Sequence, residues 1–340
     1  MVTDRGLEVL RAIVRDYVSS REPVGSKSIV DRYGFGVSAA TIRNDMASLE
    51  DEQLITAPHT SSGRIPTDKG YRVFVDHLAD ARALSSAQRV AIERFLDESG
   101  DFDDLLARTV RALAQLTNQV AVIQYPTLGN ATVQHVELVL VSSRRLMVIL
   151  ITDNGRVEQR LVESAVDLDP DDLALLRSSI NARVSGSSLA DVASALSAAH
   201  DDARLASVHA SISDAVRDLV QVNRQSRLVM TGTANLVKTE SDFTGSVYPV
   251  LDAIEEQVVL LKLLSEMRGD SETVNVSIGH EHSQSVFDQT SVVSSGYLTG
   301  GELAQVGLIG PTRMDYSGNI AAVRAVARYL TQLLNNSHGH

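Results

Sequence analysis

Cysteine is absent from the 340 residues, which excludes a disulfide framework, a thiolate metal site and a cysteine nucleophile together. Long apolar runs are missing too. No stretch approaches the roughly 20 residues needed to cross a bilayer, and the charged opening MVTDRGLEVLRAIVRDY contains no signal-type apolar core. A soluble, cytoplasmic chain with no membrane partner is the expectation. Positive charge is scarce: 31 Lys and Arg stand against 43 Asp and Glu, a formal net charge of -12, so the mean field repels nucleic acid and anionic lipid. Any polyanion site must therefore be local. Proline is sparse at 7 residues, and with 44% hydrophobic residues the composition is that of a folded chain with a buried core, long enough for two or three domains.

What is present begins with helical periodicity. Leu7, Leu10, Val14 and Val18, with Ile13 and Tyr17 alongside, predict an amphipathic helix from about Thr3 to Ser19 that Pro23 ends. Ser26 is the expected N-cap of a short second helix carrying Ile29 and Val30, which Gly34 and Gly36 terminate. Ser38 is placed to cap a third. On that helix Ala39, Ile42, Met46, Leu49 and Gln53 share one sector and are expected to face inward. Ala40, Thr41, Asn44, Ala47 and Ser48 lie opposite, with Arg43 to one side. Small side chains on such a face let a backbone enter a major groove, where Asn matches adenine, Arg matches guanine and Thr touches a thymine methyl or phosphate. Asp45, Glu50, Asp51 and Glu52 sit mostly toward the C-terminal half, which can stay outside the groove.

Leu54 to Ala57 predicts a short strand, His59 to Gly63 a polar turn and Arg64 to Pro66 a return, a small wing whose arginine suits phosphate or a narrow minor groove. Thr67 should cap a further helix on which Tyr71, Val75 and Leu78 align. Three helices and a wing in this order point to DNA binding.

The stretches EPVGSKSI, VSAATIRNDMASLE, HTSSGRIPTDKGYRVFVD and, far downstream, GLIGPTRMDY at Gly307 to Tyr316 resemble successive signatures of the heat-inducible transcription repressor HrcA family. The TIR-x-D-M/L core is shared with DeoR-type sugar regulators; the HTSSGRIPT wing together with the GPTRMDY block separates the two. The resemblance implies a dimeric repressor that binds double-stranded DNA at a palindromic operator, the CIRCE element, before chaperonin and DnaK-type operons, and that the GroEL chaperonin keeps active. It also implies the site residues: Thr41, Arg43 and Asn44 as base readers, and Ser38, Thr60, Ser61 and Arg64 as backbone contacts; Ser48 joins these DNA-binding candidates by its helical spacing alone. Asp45 stands where the family often has glutamate, and Gln53 where it often has glycine before the wing.

Beyond a small-residue boundary at Ser85 and Ser86, helical patterns cover Ala87 to Leu96 and Phe102 to Thr117. VAVIQYP, VQHVELVLV, RLMVILIT and RVEQRLVE read as four strands, Asn154 and Gly155 marking a hairpin between the last two. Pro170 opens a helical, Ala- and Ser-rich section to about Val222. RLVMTG, a helix from Val247 to Met267, TVNVSIG, SVVSSGY, AQVGLIGP and a last helix from about Asn319 to Leu334 follow. This pattern predicts an α+β multidomain fold, one sheet interrupted by a helical insertion. With the resemblance, it divides into a winged helix-turn-helix at 1–84, a GAF-like α+β domain at 85–168 and 223–336, an inserted helical dimerisation segment at 169–222 and a tail at 337–340. The inserted helices serve equally well as an intramolecular hairpin or a dimer surface, and a twofold operator favours the dimer.

No cofactor is expected, and no catalytic Ser/His/Asp set has a local context. GHEHSQS would put His280 and His282 on one face of a strand, where they could hold a metal, though an edge strand is the commoner reading. In PTRMDYSG the arginine and the aspartate two residues later predict an internal ion pair ordering the loop before the last helix. Two other functions remain open: a metabolite-responsive, DeoR-like repressor with a ligand in the GAF-like domain, and a metal-dependent enzyme built on the histidine pair.

Overall fold

The structure is a computed structural model that describes residues 2–59, 62–78, 102–126, 131–153, 155–197, 202–224, 227–243, 245–267, 273–299 and 302–336. The expected boundary at Ser85 and Ser86, the helix over Ala87 to Leu96, Asn154 and the tail lie outside the described residues. The described residues fall into two compact units. One draws on Met1–Ile123, Leu228–Gly296 and Gln305–Arg328, the other on Gln124–Arg227, Tyr297–Ala304 and Tyr329–His340.

The first unit opens with α1 (Asp4–Ser20), capped by the Thr3 hydroxyl, which accepts from the Gly6 amide, and buried along Val9, Leu10, Ile13 and Val14. Leu7 and Val18 are only half-buried. The helix stops at Arg21, left-handed at φ 63, whose amide returns to the Tyr17 carbonyl at 3.1 Å. The stop therefore precedes Pro23 and does not need it. Helix α2 (Ser26–Tyr33) is capped at Gly25 with no side-chain bond, so Ser26 is its first helical residue rather than its cap. Gly34, at φ 59, ends it as the sequence predicts. Helix α3 (Ala39–Asp51) begins at Ser38, whose oxygen accepts from the Thr41 amide, and buries Ile42, Met46 and Leu49. Gln53, expected inside, is exposed and left-handed at φ 60 because the chain has already turned off the helix.

Strands β1 (Ile55–Thr56) and β2 (Ile65–Pro66) pair antiparallel, Ile55 opposite Pro66, and Arg64 bonds Val24 through both backbone groups at 2.9 Å, fastening the hairpin to the α1–α2 connection. This close approach explains Gly63: a Cβ there would lie 2.6 Å from the backbone of Pro23 and Val24. At Gly70 a Cβ would lie 1.9 Å from the Leu54 carbonyl. Gly70 lies in α4 (Asp68–Asp76), which Thr67 caps by accepting from the Gly70 amide while its hydroxyl donates to the Gln53 carbonyl at 2.6 Å. Its buried side chains are Tyr71 and Phe74; Val75 and Leu78 are half-buried, so the inward face is turned from the expected one.

After α5 (Phe102–Thr117) comes a five-stranded sheet. Its strands are β3 (Val120–Gln124), β7 (Leu228–Thr231), β8 (Val274–Ile278), β9 (Thr290–Thr299) and β10 (Glu302–Pro311), in the order β7-β3-β10-β9-β8. Val120, Val122, Val292 and Ile309 meet Val250, Ile254, Leu260, Leu263 and Leu264 in one apolar cluster. The expected single helix over Val247 to Met267 is two, Tyr248–Glu255 and Gln257–Glu266, broken where Glu256 turns extended at ψ 103. The last helix runs Tyr316–Asn336.

The second unit holds a separate antiparallel sheet of β4 (Val133–Ser142), β5 (Arg145–Thr152) and β6 (Val157–Glu163). The single interrupted sheet expected from the pattern is thus two sheets, because alternation identifies strands but not their partners. Val136, Leu138, Leu146, Val148, Leu150 and Val162 pack against Leu173, Leu176 and Ile180 of α6 (Pro170–Val184). Val208, Ile212, Val216 and Leu219 of α8 (Ala206–Arg224) complete this core, with the short α7 (Val192–Ala195) between the two helices. Asp169 and Asp172 form a capping box at the start of α6 beside Pro170. The Asn181 side chain clips α6 to Val136, accepting from its amide at 2.8 Å and donating to its carbonyl at 2.7 Å. The apolar stripes of the Ala- and Ser-rich helices are thereby consumed within the chain. The other sheet face keeps Val139, Val141, Val157 and Leu161 exposed, between 42% and 59%.

Candidate nucleic-acid interface

Helix α3 presents Ala40, Arg43, Asn44, Ala47 and Ser48 to solvent, with Thr41 half-buried. The Arg43 and Asn44 side chains have no hydrogen-bond or ion-pair partner among the described residues, so the donors and acceptor that base edges require are free. Ser38 and Thr41 are committed to the helix start: their hydroxyls lie 3.1 Å apart, and Ser38 also accepts the Thr41 amide at 3.2 Å. Ser48 donates to the Asn44 carbonyl one turn back at 3.3 Å.

Two acids of this helix are neutralised within the module. Asp45 takes both Nε of Arg5, at 2.7 Å, and its NH2, at 3.0 Å, which raises the Arg5 pKa through the hydrogen bond and then the charge. Glu50 accepts from Nε of Arg64 at 2.9 Å, with the Arg64 NH2 also at 2.9 Å. Arg64, expected as a free wing cation, is therefore tied to the last turn of α3 and also donates to the Ser62 carbonyl at 3.3 Å. Thr60 and Ser61 lie outside the described residues. Sequence reasoning passed over Lys27, near the start of α2, and Arg15, on α1; both are exposed and make no hydrogen bond or ion pair among the described residues. Their positions in helical patterns gave no sign of which cations the fold would leave free.

The face of the module away from α3 is anchored within the first unit. Arg72 on α4 donates Nε to Glu281 at 2.7 Å and NH2 to the Val276 carbonyl at 2.6 Å. Asp68 accepts the His280 amide at 3.3 Å. Arg313 of the GPTRMDY block donates to the Tyr17 carbonyl at the end of α1 at 3.1 Å and lies over the Tyr17 ring. Its Nε sits 3.2 Å from Asp242, a buried carboxylate that Arg21 also reaches at 3.1 Å. This corrects the expected Arg313–Asp315 pair: Asp315 instead accepts from the Gly318 amide at 3.1 Å at the start of the last helix. Tyr316 of the same block packs its ring against Tyr71, tilted, with centroids 5.6 Å apart, and shares a 2.7 Å hydrogen bond with Ser291.

GHEHSQS is a turn rather than a strand, its first three residues forming a 3-10 helix, and its side chains diverge. His280 is exposed and lies 3.2 Å from Asp288; Glu281 accepts from Arg72 and the Ile278 amide. His282 is buried between the Ser277 hydroxyl at 3.0 Å and the Thr290 carbonyl at 3.2 Å. Burial lowers the His282 pKa, against the opposing pull of its hydrogen bond to Thr290 and nearby carboxylates. Among the described residues no three His, Asp or Glu side chains converge as a metal site. A cleft of about 250 Å³ beside this turn is bordered by Leu263, Glu266, Met267, Asn275, Val276, Ser277, Glu281 and His282.

A slim helix with unpaired Arg and Asn, braced by its neighbours and followed by a two-stranded hairpin, has the features of a DNA-reading module on an α+β scaffold. A family profile described as the HrcA protein C terminal domain matches residues 103–320. The chain is 61% identical over 337 residues to the heat-inducible transcription repressor HrcA of Clavibacter michiganensis subsp. michiganensis, covering 98% of this chain and 99% of that one. It is 60% identical over 339 residues to the HrcA of Leifsonia xyli subsp. xyli, covering 99% and 100%. The fold is shared with a crystal structure of a hypothetical protein, TM-score 0.72 at 24% identity, covering 99% of this chain and all of that one. The chain belongs to the HrcA family of heat-inducible transcription repressors. Among the described residues no helix is long and apolar enough to cross a membrane.

Proposed function

We propose that α1 to α3 with the β1–β2 hairpin act as a winged helix-turn-helix, α3 entering the major groove and the five-stranded α+β scaffold serving as a GAF-like regulatory domain. The chain represses chaperonin and DnaK-type operons in the cytoplasm by binding the CIRCE inverted repeat as a homodimer. The GroEL chaperonin maintains its activity and heat withdraws it. It is a regulator rather than an enzyme. The observation that carries this reading is the pair of unpartnered side chains, Arg43 and Asn44, on a helix face otherwise made of Ala and Ser, which suits close approach and base-edge contacts. Thr41 supports the same face. Ser48 lies on that face too, and Ser38, Thr60, Ser61 and Arg64, joined by Lys27, are the residues we assign to the duplex backbone.

The open sheet face of the second unit is the surface we assign to dimerisation. Val139 and Leu161 both pair with Met147 in the sheet register, and Ile151 pairs with Val157, so exposed apolar side chains stand in adjacent rows. A second copy covering that face gives the twofold assembly that an inverted-repeat operator calls for. Leu161→Glu should shift the chain to monomer in sedimentation and abolish inverted-repeat binding while leaving the fold intact. A fully dimeric variant would remove this assignment.

Footprinting on a duplex carrying the CIRCE repeat, with and without chaperonin, tests the whole reading: protection of both half-sites that chaperonin increases is the expected result. The metabolite-responsive alternative has the cleft near His282 as its candidate, and its volume of about 250 Å³ is below the roughly 300 Å³ at which small-molecule sites begin. A melting shift by a metabolite that also changes operator affinity would favour it.

A further inference from the structure

Glu50 and Arg64 face each other across the junction of α3 and the wing, both only partly exposed, at 36% and 28% of their side-chain area. The guanidinium approaches one carboxylate oxygen through Nε and NH2, the groups with which it would grip a phosphate oxygen. The same arginine therefore has two competing acceptors, an internal one always present and an external one present only when a duplex lies against the hairpin. An ion pair this open to solvent, though not fully exposed, is weak enough to be exchanged. Its loss nevertheless subtracts from every duplex contact that Arg64 makes, whereas contacts from Arg43 and Asn44 carry no such cost because nothing holds them.

We propose that Glu50 is a positioning residue that attenuates duplex binding by acting through Arg64. It occupies the wing arginine as an internal stand-in for phosphate, so that a duplex gains the Arg64 contact only by displacing the ion pair, a cost that specific and unrelated DNA both meet. This rests on the reading of α3 as the groove-entering helix. It also explains how a module can keep acids on its reading helix: Asp45 is spent on Arg5 as a brace, while Glu50 tunes the strength of the wing's grip.

The test uses the full chain, a CIRCE-type inverted-repeat duplex and a scrambled duplex of equal length and composition, each titrated over a range of salt. Glu50→Gln should bind the scrambled duplex about two- to five-fold tighter, the range an exposed ion pair is worth. Its salt dependence should steepen by about 0.9 in slope, one further phosphate. The inverted-repeat duplex should gain at least as much, so the ratio of specific to non-specific affinity should hold level or rise. Two controls separate this from loss of repulsion. Asp51→Asn removes an exposed, unpaired acid next to Glu50 and should leave the slope unchanged. Arg64→Ala should erase the gain from Glu50→Gln. Should the amide variant fold poorly, Glu50→Asp keeps the charge but shortens its reach, and it should move the scrambled duplex in the same direction. Equal effects of Glu50→Gln and Asp51→Asn in both backgrounds, or equal weakening of both duplexes, would overturn the proposal. Arg43→Ala reports on the underlying reading separately: undiminished discrimination in that variant would sink the groove assignment itself, whatever Glu50 does.

Discussion

Arg5 and Asp45 join α1 to α3 through two bonds, Nε to one carboxylate oxygen at 2.7 Å and NH2 to the other at 3.0 Å. A two-point contact fixes angle as well as distance, and Asp45 immediately follows Asn44, so the brace sets how the reading face is presented. Asp45→Asn should weaken inverted-repeat binding and leave scrambled-duplex binding unchanged, read by parallel titrations. An equal loss on both duplexes would show that Asp45 only supports the fold.

Arg43→Ala and Asn44→Ala should each cost about 1 to 3 kcal/mol of operator binding and relax preference at single base pairs. Lys27→Ala, by contrast, should weaken all duplexes alike and reduce the salt slope by about one. Binding to a panel of operator variants separates the two patterns.

Asp242 is a buried acid held between Arg21 and Arg313. Its removal strands a guanidinium that is itself largely enclosed, and Asp242→Ala should cost on the order of 3 kcal/mol in urea unfolding, as for other buried pairs broken on one side. Arg313→Met, which removes the stranded partner but retains bulk, should recover part of that loss in the double variant.

Gln53 holds φ 60, a left-handed position that costs an ordinary residue about 1 to 2 kcal/mol. Gln53→Gly should raise stability by about 0.5 to 1 kcal/mol, the strain relieved less the extra entropy lost by glycine. A thermal melt checks the sign, and destabilisation would show that the backbone carries no strain there.

His282 titrates below its usual value because burial disfavours the charged ring. A depressed pKa means the unfolded chain binds the proton more readily. The histidine's contribution is therefore complete above about pH 6.5 and is lost as pH falls through the lower folded value. Stability measured from pH 7.5 to 5 should decline, and His282→Asn should flatten that slope while lowering the plateau.

Where a feature depends on a few neighbouring residues, it was legible in the sequence. Ser38 and Thr67 cap the helices they were expected to cap, Gly34 ends α2, and Ile42, Met46 and Leu49 face inward, because caps and periodicity act over one or two turns. The exceptions have local causes as well: Arg21 adopts the left-handed stop ahead of Pro23, and Gln53 leaves the helix before its sector faces the core.

By itself the sequence determined most of the order of helices and strands, the small-residue face around Asn44, and the four signatures that identify the family. All of these are written in composition and spacing along the chain. The tertiary structure alone decided that β3 and β4 join different sheets, that Arg313 reaches Asp242 rather than Asp315, and that Arg64 rests on Glu50 while Arg43 stays free. The reason is the range of the forces involved: capping and periodicity are settled between near neighbours, whereas strand partners and ion pairs are chosen among residues brought together only when the chain closes on itself.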